Sequence, residues 1–159
     1  LIISFTSITQ SCTLNMHKSN INIHTYTDVI NYHIPYENLL KMQDFEYFTY
    51  IYSQSCLHCE TIKYEVIEYA LEPVVPLYFL LFNDSIPLSD DVSPSINQNT
   101  LFSFSILGTP TLVHIIDGYI KMNVSGSDII LSILNLYKKY QGFYCDKWYK
   151  KFLYRHYSI

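Results

Sequence analysis

The stretch YIYSQSCLHCETIKYEVIEYALE, residues 50–72, sets two cysteines two residues apart, between an aromatic run and a helical pattern. The run FEYFTYIYS (45–53) is aromatic or β-branched apart from Glu46 and Ser53, which predicts a central strand buried on both faces. Over 56–71 the period changes to that of a helix. Cys59, Ile62, Val66 and Ala70 share one face, and Glu60, Glu68 and Glu72 lie away from it. Ser55 is placed to cap this helix, and Pro73 and Pro76 end it. LYFLLF (77–82) predicts a second buried strand. A Cys-x-x-Cys pair at a strand–helix junction inside a β-α-β pattern reads as redox-active. Free N–H groups and the positive end of the helix dipole favour a thiolate at Cys56, while Cys59, one turn on, is the more buried partner, close enough to close a short disulfide. One thiolate that attacks and one thiol that resolves are the minimum for thiol–disulfide exchange. Half of a zinc site, or an inert pair, is the competing reading.

The rest of the chain extends this pattern. A short edge strand is predicted over 21–25, and PYENLLKMQ (35–43) predicts a helix opened by proline, with Leu39, Leu40 and Met42 for packing. Residues 83–99 are a polar, proline-containing loop, followed by a short helix over 100–106. TLVHII (111–116) and YIKMNV (119–124) form a hairpin through Asp117-Gly118, a strong turn signal. From Ser127 an amphipathic helix places Ile130, Ile133, Leu134 and Tyr137 on one face.

Composition narrows the function classes. Hydrophobic residues make up 49% of the 159 and charged residues 15%, enough for one domain with a real core. The densest apolar run, VVPLYFLLF, carries a proline and is far shorter than the roughly 20 residues a membrane span needs. Lys138, Lys139, Lys147, Lys150, Lys151 and Arg155 face Asp146 alone near the C-terminus, a net +5 that leaves −9 on the first 136 residues. An acidic body with a short basic tail is not the broad basic footprint of a nucleic-acid binder. Four cysteines are too few for a disulfide scaffold, and without a second Cys-x-x-Cys the usual four-cysteine zinc arrangement is missing.

CLHC resembles the Cys-x-His-Cys centres of disulfide-forming members of the thioredoxin superfamily. ILGTPTLVHIIDGYI (106–120) resembles the segment in which that family's cis-proline opens the hairpin and faces the cysteines; here the proline is Pro110, preceded by Thr109. Gly126 matches a glycine often found before the family's last helix. The resemblance covers residues 21–140. It implies an α/β, thioredoxin-like fold: a central mixed β-sheet flanked by helices, with an N-terminal extension (1–20) and a C-terminal helical tail (141–159). It implies a thiol–disulfide oxidoreductase acting on protein cysteines, with Cys56 as nucleophile, Cys59 as resolving thiol and His58 as tuner. Thr109 and Pro110 would form the edge for an extended substrate. No metal or organic cofactor is needed. The partners are protein substrates with thiols or disulfides and a redox partner protein, and the chain is expected to act as a monomer. The sequence departs from the family at two positions. Tyr50 stands where thioredoxins often bury a carboxylate, with Glu46 further along the same strand face, and Ser55 stands where many relatives carry tryptophan. A non-catalytic thioredoxin-like binding module is the alternative.

The ends carry further expectations. LIISFTSITQSC resembles the end of a lipoprotein signal, with an apolar run and Ser11 before Cys12, the candidate lipid-attachment site; Thr9 and Gln10 suit that pattern poorly. A frayed apolar N-terminus is the alternative. The first reading expects an extracytoplasmic or membrane-anchored protein, the second a cytoplasmic one. The basic, aromatic tail aligns Cys145, Trp148 and Phe152, to pack on the domain or to meet an anionic membrane surface. Zinc held by Cys56, Cys59, Cys145 and a histidine is the remaining alternative. His114, alternating within a strand, is expected to be a packed histidine.

Overall fold

The computed structural model describes residues 25–140. Strand β1 (Glu46–Tyr52) is central: β2 (Leu77–Leu81) runs parallel to it, and β3 (Thr111–Ile116) runs antiparallel on its other side. Strand β4 (Tyr119–Ser125) completes the order β2-β1-β3-β4. Helix α1 (Leu57–Leu71) is the crossover between the two parallel strands, and α2 (Ser127–Tyr140) follows β4. The turn between β3 and β4 has φ of 52° at Asp117 and 74° at Gly118, the left-handed pair that an Asp-Gly hairpin turn uses.

Alternation along β1 builds two cores. Phe48, Tyr50 and Tyr52 point to the face covered by α1 and α2, where they meet Phe79, Leu112, Cys59, Ile62, Val66, Ile130 and Leu134. Tyr47 and Ile51 point to the opposite face, with Leu80, Val113 and Ile115, under Leu39, Phe104 and Ile106 from non-helical segments. Burial on both faces explains the largely aromatic and apolar composition of β1. Each such side chain contributes about 1.5–3 kcal/mol of transfer free energy. On the surface, Lys138 of α2 reaches Glu68 of α1 at 3.1 Å.

The architecture is the expected mixed sheet flanked by helices, but several local expectations are corrected. Residues 35–43 form only a 3-10 turn over Tyr36–Asn38. The Tyr47 hydroxyl donates to the Leu39 carbonyl at 2.9 Å, occupying an acceptor that a continuing helix would use. The helix expected over 100–106 is a 3-10 turn at Leu101–Ser103. Beyond it Ile106 is drawn into an extended pairing: its N–H donates to Pro87 O at 3.0 Å, and its carbonyl accepts from Ser89 N–H at 3.0 Å. The cap of α1 is Cys56 rather than Ser55, because Cys56 holds the extended conformation and its sulfur accepts the N–H of Cys59.

Of the predicted edge strand, residues 21–24 lie outside the described residues, while Thr25 precedes a 3-10 helix over Tyr26–Tyr32. A single parallel bridge, His33 to Phe79, then runs beside β2. The expectations for residues 1–20, including Cys12, and for 141–159, including Cys145, also lie outside the described residues. Among the described residues, no helix is long and apolar enough to cross a membrane.

Candidate functional site: a dithiol at the start of α1

The chain leaves the buried end of β1 through Ser53, Gln54 and Ser55 and enters α1 at Cys56. Cys56 and Cys59 are joined as a disulfide, with their Cα atoms 5.2 Å apart. Their environments differ. Cys56 is half-buried, and its Sγ accepts the Cys59 N–H at 3.0 Å. Cys59 lies within the core under α1, with no exposed surface.

The opposite wall is the segment entering β3. The Thr109–Pro110 peptide is cis, and the Thr109 carbonyl oxygen lies 3.3 Å from Cys56 Sγ. The Thr109 hydroxyl reaches Ser53 Oγ at 3.5 Å, linking the two loops. Two bonds hold this segment in place: Thr111 Oγ1 donates to Gly108 O at 2.6 Å, and Gly126 N–H donates to Pro110 O at 3.0 Å. Gly126 has φ of 115°, a conformation that favours glycine and turns the chain from β4 into α2.

A β-α-β unit, an antiparallel hairpin and a closing helix thus set a Cys-x-x-Cys disulfide at a helix N-terminus against a cis-proline. The fold is thioredoxin-like.

Solved structures similar to this thioredoxin-like chain include thioredoxin f2 of Chlamydomonas reinhardtii, with a TM-score of 0.45, 13% identity, and coverage of 69% of this chain and 94% of that one. A putative oxidoreductase with a thioredoxin fold gives 0.46 and 15% identity, covering 72% and 98%. The periplasmic thioredoxin SoxS of Paracoccus pantotrophus gives 0.36 and 15%, covering 58% and 98%. No protein-family model and no curated protein matches the chain.

An open groove runs beside the disulfide of this thioredoxin-like domain, bordered by His58, Thr61, Leu107, Thr109, Asp128 and Ile129. His58 is exposed on the first turn of α1, and Leu57, Leu107 and Ile129 present apolar surface to solvent nearby in the chain or on the groove itself. Sequence reasoning placed His58, Thr109 and Pro110 here but missed Leu107, Asp128 and Ile129. The last two arrive only because the β3–β4 hairpin returns α2 to this end of the sheet. The signal that could have found them is their position directly after Gly126.

Glu46 lies at the other end of β1, where its carboxylate meets His114 Nε2 at 3.0 Å. His114 is 7% exposed and packs on Phe48, as a structural histidine does. Among the described residues, no cluster of three or more His, Cys, Asp or Glu is arranged to hold a metal.

Proposed function

We propose that this chain is a thiol–disulfide oxidoreductase acting on protein cysteines. The observation that carries the reading is the asymmetry of the pair. Cys56 is reachable at a helix N-terminus with a backbone N–H already directed at its sulfur, and Cys59 is buried behind it. An N–H bond and a helix N-terminus both stabilise negative charge on Cys56, which makes it the better attacking and leaving thiolate.

The reaction balances without a cofactor. An incoming substrate thiolate attacks Cys56 Sγ, the Cys56–Cys59 bond breaks, and its electron pair leaves on Cys59. A mixed disulfide now joins the substrate to Cys56. The substrate's second thiolate attacks its own sulfur in that bond and releases Cys56 as thiolate. The substrate is oxidised by two electrons and the pair is reduced by two, with the two substrate protons passing to the cysteines or to solvent. Run backwards, the same steps reduce a substrate disulfide. His58 tunes the balance by stabilising the Cys56 thiolate, and Thr109 with Pro110 offers a backbone edge for an extended substrate segment.

The test is trapping. Cys59→Ser should accumulate mixed disulfides with substrate protein through Cys56, and Cys56→Ser should not. The intact chain should also accelerate reduction of insulin by a small dithiol. A chain that neither accelerates insulin reduction nor traps a substrate is instead a non-catalytic thioredoxin-like binding module.

A further inference from the structure

Tyr50 stands six residues before Cys56 on β1 and is fully buried. Neither its hydroxyl nor the buried hydroxyl of Tyr26 finds a partner beyond the other of the two. Two hydroxyls that have only each other leave at least one buried O–H without an acceptor, which is destabilising. Packing alone does not call for it, since Phe48 and Phe79 fill the same core with bare rings. Tyr50 belongs to one contiguous cluster with Cys59, and Tyr26 and Cys56 pack against that cluster. Both phenols feel the carboxylate of Glu60, the residue after Cys59, and the Lys63 ammonium of α1 lies 5.8 Å from the Tyr26 ring centroid. Burial, the largest cause, pushes both phenols up above the ordinary tyrosine range, so each stays a protonated donor rather than a base.

Within this cluster, Cys59 is the group whose hydrogen-bonding need changes during exchange. In the disulfide its sulfur requires nothing. When the bond opens, the electron pair lands on a sulfur with no access to water, where an unassisted thiolate is costly. We propose that the Tyr50 hydroxyl, with Tyr26 behind it, is a hydrogen-bond donor held in reserve for the Cys59 sulfur and engaged when the Cys56–Cys59 bond opens. Tyr50 stabilises Cys59 as leaving group and then as resting thiol; it transfers no electrons and needs no further reactant. This rests on the redox reading of the pair.

The test is Tyr50→Phe in the full chain, with unfolding followed in the disulfide and dithiol forms and the exchange equilibrium measured against glutathione. The disulfide form should be about as stable as the parent, because the removed hydroxyl has no partner there but Tyr26. The dithiol form should lose relative to it. The exchange equilibrium should move toward the disulfide by about ten-fold, a potential about 30 mV more negative. Tyr26→Phe should move it the same way by less. Tyr52→Phe is the packing control: its hydroxyl bonds His33 Nε2 at 2.8 Å in the same cluster, and its loss should affect both forms alike and leave the potential in place. An unchanged equilibrium in Tyr50→Phe, or equal stability changes in the two forms, overturns the proposal. Should Tyr50→Phe not fold, an unchanged equilibrium in Tyr26→Phe overturns it instead. A parent chain that does not exchange with glutathione at all defeats the redox reading itself, which is a different outcome.

Discussion

If the environment of Cys56 makes it the nucleophile, the difference should be measurable as a rate of alkylation. The informative perturbation is Cys59→Ser, with Cys12 and Cys145 replaced by serine as background. The donor to Cys56 Sγ is the backbone N–H of residue 59 at 3.0 Å, so replacing the side chain leaves the bond in place. A hydrogen bond to a charged group contributes about 1.5–3 kcal/mol, and a helix N-terminus adds about 0.3–1 kcal/mol. Some of this is lost to water because Cys56 is only half-buried. About 1.4 kcal/mol is a factor of ten in ionisation. A free thiol is only a few per cent ionised at neutral pH, so the gain saturates at roughly thirty-fold.

Cys56 in the Cys59→Ser chain should therefore react with iodoacetamide about ten-fold faster at pH 7 than the same chain unfolded in urea. Cys59 in the Cys56→Ser chain should react more slowly than its own unfolded reference, because it is buried. Equal rates in folded and unfolded Cys59→Ser, or a faster Cys59 than Cys56, refute the assignment of nucleophile and resolving thiol.

Two further outcomes are expected. His58→Pro should make the potential of the pair more negative by tens of millivolts, since a lost stabiliser of the Cys56 thiolate disfavours the dithiol and about 1.4 kcal/mol is roughly 30 mV; residue 58 lies in the first turn of α1, where proline is tolerated, and an unchanged or more positive potential shows that His58 does not tune the sulfur. Tyr78 is raised to about 12 by burial and by its hydroxyl bond to Asp44. Its folded value lies above the unfolded value near 10, so its contribution is complete below that pH and is lost as pH rises toward about 12. Phenolate absorbance should accordingly show Tyr78→Phe removing a late-titrating group, and urea melts should show a shallower loss of stability over that window.

The β1–α1–β2 unit and the hairpin were legible because their signals are local. An apolar run, a 3.6-residue period, two prolines and an Asp-Gly pair each settle backbone conformation within a few residues. Segments 35–43 and 100–106 were not legible, because distant partners decide them. Whether Leu39 continues a helix depends on a hydroxyl from Tyr47, and whether Ile106 is helical or extended depends on Pro87 and Ser89. The site divides in the same way. Cys56, Cys59 and His58 lie in one tetrapeptide and could be read directly, whereas Asp128 and Ile129 join them only through the return of the sheet.

Tyr50 marks the limit of what a sequence shows. In the string of residues it is one more aromatic in a strand of aromatics, and burial is the natural reading. Packing adds that its hydroxyl meets nothing but the Tyr26 hydroxyl, while the Tyr47 and Tyr52 hydroxyls on the same strand are bonded to Leu39 and His33. A phenylalanine there would keep the ring and avoid a cost of about 1–3 kcal/mol, a substantial share of a stability that is only about 5–15 kcal/mol for a domain of this size. A cost of that size in the disulfide form is offset if the dithiol form recovers it. The recovered energy would then appear as a more positive potential, so the same hydroxyl that weakens the oxidised fold strengthens it as an oxidant. On that proposal stability and potential are coupled through one oxygen atom, and measuring both in Tyr50→Phe separates that coupling from ordinary packing.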